Sequence, residues 1–404
     1  MPEVVITGLG PVASNGVGKE NFWNALKEGR SGVRRISRFD PSGYPSQIAG
    51  EIPMEWIQEV KPYHKNGRGW STHLVLTAAH LALQDAGVSQ NEFSSLRSGI
   101  WVGISSSDMG VLESEYEIFL ESGFTKSTNL FASFPHAAAS ELAVELKCSG
   151  EVVTVSAGCP SGVFSIIYAV KSILQGNTTM ALAGGGDAPL TPSAYASFCS
   201  AGLLSSLFNH DPQAASRPFD AMRDGGVLAE GAGMVLLEDA EQAASRGAKV
   251  YARIAGWSTS NAASPKQLKA SIVSSLTGAL QVEGLTPAMI DYISAHAPGD
   301  KFIDKMETKA IKEVFGSHTY NLPVSSIKSM IGNPLAAAGP LQVIATAQVI
   351  QDRFIPPTIN YHFPDPSCDL DCVPNKGRVA RVNRAIINLH GMGGANASLV
   401  LTRE

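Results

Sequence analysis

Cysteine is scarce in this chain, five residues in 404, and so few thiols, odd in number, cannot supply a disulfide framework. Charge of one sign is scarce as well. With 31 lysines and arginines against 36 aspartates and glutamates the formal net charge is −5, and no basic block stands out of the kind that tracks a phosphate backbone or an anionic membrane surface. Nucleic acid is therefore not an expected partner. No uninterrupted apolar run reaches about 18 residues, so no membrane-spanning helix is expected. The start, MPEVVITGLG, places Glu3 before the first apolar stretch and lacks a charged-then-apolar leader, which makes the cytoplasm the expected compartment. Cys368 and Cys372, in PDPSCDLDCVPN, have only His362 nearby as a further ligand. A polar loop is the simpler reading there, and no metal is expected.

What is present is an alternation of β-rich apolar runs with helical patterns, the pattern of an α/β protein with parallel or mixed sheets. Strands are expected over 4–7, 100–104, 152–156, 180–183, 234–238, 292–295, 323–326, 385–388 and 397–402. Helices are expected over 70–86, 161–174, 265–281, 305–315 and 340–351, the third capped by Ser264 with Pro265 at its first position. The two halves echo each other. Strand 152–156 leads through a small-residue turn into helix 161–174 and a strand ending in GGGD; strand 323–326 leads through KSMIGNPLAAAG into helix 340–351 and a later strand ending in GMGG. No Pro- or Ser-rich linker separates them, so one duplicated unit is expected, with halves 1–250 and 251–404 whose turns face each other.

Two glycine-rich stretches invite a nucleotide reading and fail it. VVITGLGPVA has the spacing of a dinucleotide fingerprint, but Pro11 and SNGVGKENFW interrupt the helix that should follow, and no acidic residue ends a second strand. A tight turn is expected instead. GGGD at 184–187 lacks the lysine and threonine of a phosphate loop and reads as a close approach of backbones.

The stretch VTVSAGCPSG, residues 153–162, places Cys159 between an apolar strand and a helix with apolar residues at helical spacing. Unpaired N–H groups and the positive end of a helix dipole both favour a thiolate, so a lowered pKa and a nucleophile are expected. A small buried structural thiol is the other reading the residues leave open.

VSAGCPSGVFSIIYAV resembles the nucleophile segment of the β-ketoacyl-acyl-carrier-protein synthases, the elongating condensing enzymes of the thiolase superfamily. Further along, HDPQAASRPFDAMRDGGVLAEGAGMVLLEDAE resembles the family's RPFD segment, SSIKSMIGNPLAAAG its lysine and second-histidine segment, and INLHGMGGANASLVL its glycine-rich C-terminal strand and turn. The likeness runs from about residue 4 to residue 401. It implies a thiolase-like duplicated five-layer α/β/α/β/α fold and a homodimer, or a heterodimer with a ketosynthase-like subunit. Position by position it makes Cys159 the acyl acceptor and His296 the first catalytic histidine, with Asp304 and Glu307 in support and Lys328 as the family lysine, Glu307 its charge partner. The backbone N–H groups of Cys159 and Met392 fall at the oxyanion hole. The partner implied is an acyl carrier protein, which brings the phosphopantetheine arm, so no bound cofactor is expected. Lys61, Lys65 and Arg68 are the candidate docking charges.

Two departures matter. After His296 the threonine-rich stretch that holds the pantetheine arm in elongating enzymes reads APGDK, with Pro298 and Asp300 in place of hydroxyls. Asn333 stands where they have a histidine, giving a Cys-His-Asn set like that of the chain-initiating enzymes and chalcone synthases. An amide donates a hydrogen bond without titrating, which suffices to stabilise an enolate. The expected activity is therefore decarboxylative Claisen condensation of a cysteine-bound acyl group with a malonyl carrier in fatty-acid or polyketide synthesis. Acyl transfer or hydrolysis without condensation, and a non-catalytic subunit like a chain-length factor, are the alternatives. An α/β hydrolase is disfavoured because AGCPSG lacks the Gly-x-nucleophile-x-Gly elbow.

Overall fold

The computed structural model describes residues 3–58, 68–95, 97–125 and 131–403. Ten strands carry the architecture: β1 (Val4–Ala13), β2 (Ser98–Gly103), β3 (Val152–Val155), β4 (Met180–Asp187), β5 (Gly231–Asp239), β6 (Ala252–Asn261), β7 (Tyr292–Ser294), β8 (Val324–Ser325), β9 (Arg384–His390) and β10 (Ala395–Thr402). They lie in the order β8-β7-β9-β10-β6-β1-β5-β4-β2-β3, and the short strand Gly16–Val17 folds back on β1. Outward from the β1–β6 seam, one half runs 1-5-4-2-3 and the other 6-10-9-7-8. The pairing senses repeat too. In each half the first two pairs are antiparallel and the last two parallel. The seam is a short antiparallel contact, Val5 opposite Arg253 and Ile6 opposite Ala252.

Five helices complete the layers: α1 (Trp70–Ala86), α2 (Ser161–Leu174), α3 (Leu268–Gln281), α4 (Lys301–Phe315) and α5 (Ala338–Asp352). α1 covers the outer face of β1 and β5, and α3, backed by α4, covers β6 and β10. Between the two half-sheets α2 and α5 pack on each other, α2 against β2 and β4, α5 against β5 and β9. This is the five-layer α/β/α/β/α arrangement. α5 is buried on every face from Ala338 to Ile350, as a largely apolar helix between two sheets must be. The centre therefore holds the starts of α2 and α5, each reached from the end of a parallel strand, β3 or β8.

Some local expectations are corrected. VVITGLGPVA is no turn but a continuous buried strand. Its glycines serve close packing: a Cβ on Gly8 would lie 2.2 Å from the Ala82 carbonyl oxygen of α1, and one on Gly10 1.8 Å from that of Ala78. GGGD, by contrast, is the strand end and close backbone approach that was expected: it closes β4, and a Cβ on Gly184 would lie 2.0 Å from the Gly233 oxygen. Ser264 makes no side-chain cap; a 3-10 turn, Pro265–Gln267, precedes α3, and Ala263 N–H donates to Gln267 Oε1 instead. α4 begins at Lys301, earlier than the spacing suggests, because Asp300 accepts from the N–H groups of Phe302 and Ile303. β6 has no counterpart among the expected strands. Among the described residues no helix is long and apolar enough to cross a membrane, and no cluster of His, Cys, Asp and Glu could hold a metal ion.

Candidate active site

A cavity of about 130 Å³ opens where the two halves meet. Cys159, His296 and Asn333 line it together, with His390 beside them and Pro298, Asp300 and Met392 also on the wall. The rest of the lining is largely apolar, including Phe198, Leu203, Leu204, Leu228, Leu268 and Ile303.

Each polar group is fixed by its backbone. Cys159 follows Gly158, which holds a left-handed φ of 68°, and α2 starts two residues on. The GMGG turn between β9 and β10 abuts that bend: a Cβ on Gly391 would lie 2.5 Å from Pro160 Cδ and 3.2 Å from the Cys159 nitrogen, so glycine is required there. His296 follows β7, and Glu307 of α4 reaches back to accept from the N–H groups of His296 (2.8 Å) and Ala297 (2.7 Å). Asn333 follows Gly332, at a φ of 72°, and is pinned to the first half: its N–H donates to the Val227 carbonyl (2.7 Å), and its carbonyl accepts from Ala229 (3.1 Å).

Burial governs the electrostatics. It pushes the Cys159 thiol up; Lys328 and the Asn333 amide pull the other way without prevailing, and Asp187 adds to the rise. The lowered pKa expected from the helix start is thus not found. Of the N–H groups at the helix start, that of Ser161 is already bonded to the Gly158 carbonyl. His296 is held well below the ordinary histidine value by burial, then by Lys328 and His390, and its neutral ring is set. Its Nδ1 is buried without a hydrogen-bond partner among the described residues. Lys328 is lowered to about 8 by burial, with Glu307, Cys159 and Asp304 opposing.

Three supporting residues sit behind the wall. Lys328 Nζ donates to Gln342 Oε1 (2.9 Å), and Glu307 acts on it as a charge partner through the field, without a direct ion pair. The Glu307 oxygens are already engaged, by the two backbone N–H groups and by Asn388 Nδ2 (2.9 Å). Burial would raise this carboxylate, but His390 and those N–H groups hold it below the usual range. Asp304, pushed up to about 7 by burial, accepts from Phe219 and Gly299 and faces Arg223 (3.4 Å), which ties the RPFD segment down.

Of the docking charges, Lys61 and Lys65 lie outside the described residues. Arg68 is paired with Glu141 and lies 3.8 Å from Glu145, its side chain largely buried. That engagement turns it inward.

Sequence reasoning passed over His390, Gln342 and Asp187. Asn388 and His390 alternate on β9, opposite Ser398 and Asn396 of β10, and polar residues at that period in a buried strand were the available signal. Gln342 is a polar residue on a helix buried all round. Asp187 ends β4 and accepts from Ser105, Ser106 and Ala336, clamping the loop before α5.

Residues 1–243 match the profile of the β-ketoacyl synthase N-terminal domain, and residues 251–362 that of the C-terminal domain. The chain belongs to the β-ketoacyl synthase family. It is 35% identical to the 3-oxoacyl-[acyl-carrier-protein] synthase 2 of Coxiella burnetii, over 99% of this chain and 98% of that one. Among solved structures, the ishigamide ketosynthase/chain length factor superposes with a TM-score of 0.93 at 32% identity, covering 100% of this chain and 99% of that one. A ketosynthase bound to a hexaketide, in complex with its type II polyketide acyl-carrier protein, gives 0.91 at 32% identity with both chains fully covered. As a ketosynthase of fatty-acid or polyketide synthesis the chain is an acyltransferase.

Proposed function

We propose that this β-ketoacyl synthase joins an acyl group carried on Cys159 to a malonyl unit presented on an acyl carrier protein, with His296 and Asn333 as the decarboxylation pair. The observation that carries this is the convergence of the thiol, a neutral imidazole and an amide on one cavity from three distant segments.

Acylation comes first. The Cys159 thiolate attacks the thioester carbonyl of the acyl carrier, and the pantetheine sulfur leaves, taking up the proton that the cysteine gave up. The developing oxyanion faces the backbone N–H groups of Cys159 and Met392. The malonyl thioester then loses carbon dioxide. Its carbon–carbon electron pair moves into an enolate, whose oxygen accepts hydrogen bonds from His296 Nε2–H and the Asn333 amide. Neutrality of His296 suits this step, since an imidazolium would pair with the departing carboxylate and stabilise the ground state. The enolate carbon attacks the acyl carbonyl, a β-ketoacyl carrier leaves, and Cys159 recovers as a thiolate that Lys328 favours. Pro298 and Asp300, on the cavity wall, take the place of the hydroxyls along the pantetheine path. A second ketosynthase-like subunit completes the assembly at the open edge of β3.

Intact-mass analysis tests this. Incubation with acyl carriers is expected to add the acyl mass to the natural protein and none to Cys159→Ala; malonyl carrier is then expected to remove the added mass and release carbon dioxide. An acyl mass that persists on Cys159 after malonyl addition points to transfer without condensation and overturns the proposal.

A further inference from the structure

His390 ends β9 on the wall of the same cavity, buried, and no step above uses it. Its ring is locked on both sides. Nδ1 lies 2.9 Å from Asn396 Oδ1, and since Asn396 Nδ2 donates to Ser271 Oγ and the Gly394 carbonyl, that oxygen accepts and His390 Nδ1 carries the proton. Nε2 lies 3.2 Å from Asn388 Nδ2 and 3.5 Å from Glu307 Oε1. Asn388 is oriented in turn by Ser398, whose hydroxyl donates to its oxygen. Neither ring nitrogen of His390 is left free for a substrate. What the ring does meet is His296, with centroids 5.0 Å apart and planes at 65°, an edge-to-face contact.

His296 needs such a neighbour. A catalytic imidazole is ordinarily oriented by a hydrogen bond on its second nitrogen. Here Nδ1 has none among the described residues, and Glu307 holds only the backbone. We propose that His390 is a positioning residue for decarboxylation: held by Asn388, Asn396 and Glu307, its ring sets the plane of the His296 imidazole and so aims Nε2–H at the thioester oxygen. This rests on the condensing function proposed above.

The test compares His390→Leu, which fills the space without a planar edge, with His390→Phe, which restores a ring. Three quantities are read: Cys159 acylation by intact mass, kcat and KM for carbon dioxide release from malonyl carrier, and the imidazole ¹⁵N spectrum of His296 in the substrate-free protein. In His390→Leu, kcat for release is expected to fall by roughly ten- to a hundredfold, the range a misplaced catalytic group commands, with KM and acylation changed by less than about threefold. The single His296 tautomer is expected to become mixed, and His390→Phe to restore both rate and spectrum. Equal losses in acylation and release, or a His296 spectrum unchanged in His390→Leu, overturn the proposal. Should His390→Leu not fold, His390→Phe decides alone: a single tautomer with release within about threefold supports it, and a loss beyond about tenfold overturns it. Carbon dioxide absent even from the natural protein, with the spectra behaving as stated, sinks the condensing function and leaves the positioning of the ring standing.

Discussion

At Cys159 two effects of opposite sign meet. The helix start and Lys328 favour the thiolate, while a site only 5% exposed favours the thiol, and burial wins. The charge on Lys328 is the first of the effects that oppose burial there. Lys328→Met is expected to slow alkylation of Cys159 by iodoacetamide about tenfold, the effect of one further unit of pKa; an unchanged rate would leave Lys328 no part in activating the thiol. The same lysine has a stability signature. Its folded value of about 8 lies below the ordinary 10.5, so between them the unfolded chain binds more protons and stability rises with pH. Relative to Lys328→Met, the natural protein is expected to gain about 2 kcal/mol between roughly pH 7.5 and 9.5, as urea unfolding at each pH would show. Asn333 acts at the other step. Asn333→Ala, lacking one enolate donor, is expected to cut carbon dioxide release on the order of a hundredfold while Cys159 still takes up acyl groups. The residues that converge here were legible because each sits in a motif of its own. His390 and Gln342 were not, because what they act on, the His296 ring and Lys328 Nζ, lies on other elements 94 and 14 residues away, which no local spacing reveals.

The elements were legible where apolar periodicity was strong: α1 and α2 lie where the spacing puts them, and the buried strands follow their β-branched runs. β6 escaped because ARIAGWSTSN turns polar in its second half, and it becomes a strand by adding between β1 and β10. The glycines of β1 misled for a physical reason. Glycine marks a turn when its φ is positive, but it also marks a strand pressed onto a helix, and the sequence does not distinguish the two. The strand–helix contact makes a sharp prediction. In Gly10→Ala the new methyl meets the Ala78 carbonyl, so the strand must lift from α1, at a cost of at least about 3 kcal/mol. Gly43→Ala, where nothing lies within 4 Å, is the control, expected to change stability by less than about 0.5 kcal/mol. Urea midpoints of the two variants give the comparison; equal midpoints would mean the glycine is not there for packing.

At the scale of the whole molecule the duplication leaves two sheet edges, and the chain treats them differently. The β8 edge is covered: Val324 N–H bonds the Asp371 carbonyl, and both of its residues are buried. Among the described residues the β3 edge pairs only inward, with β2, and Val152 there is 38% exposed. Nearby in the chain order of the same half, the helix Met109–Ser122 buries none of its residues, although Leu112, Tyr116, Ile118, Phe119 and Leu120 are apolar or aromatic. A monomer rarely exposes so much apolar surface, and an uncovered strand edge invites pairing with another chain. A second subunit related by a two-fold axis would answer both needs if it continued the sheet through β3 and covered the helix. The double change Tyr116→Glu with Leu120→Glu places two buried charges in that contact and is expected to convert the assembly to monomers in light scattering after gel filtration, with the circular dichroism of the fold kept. A double variant that still elutes as a dimer would place the second subunit elsewhere on the molecule, and the open edge of β3 would then need another cover.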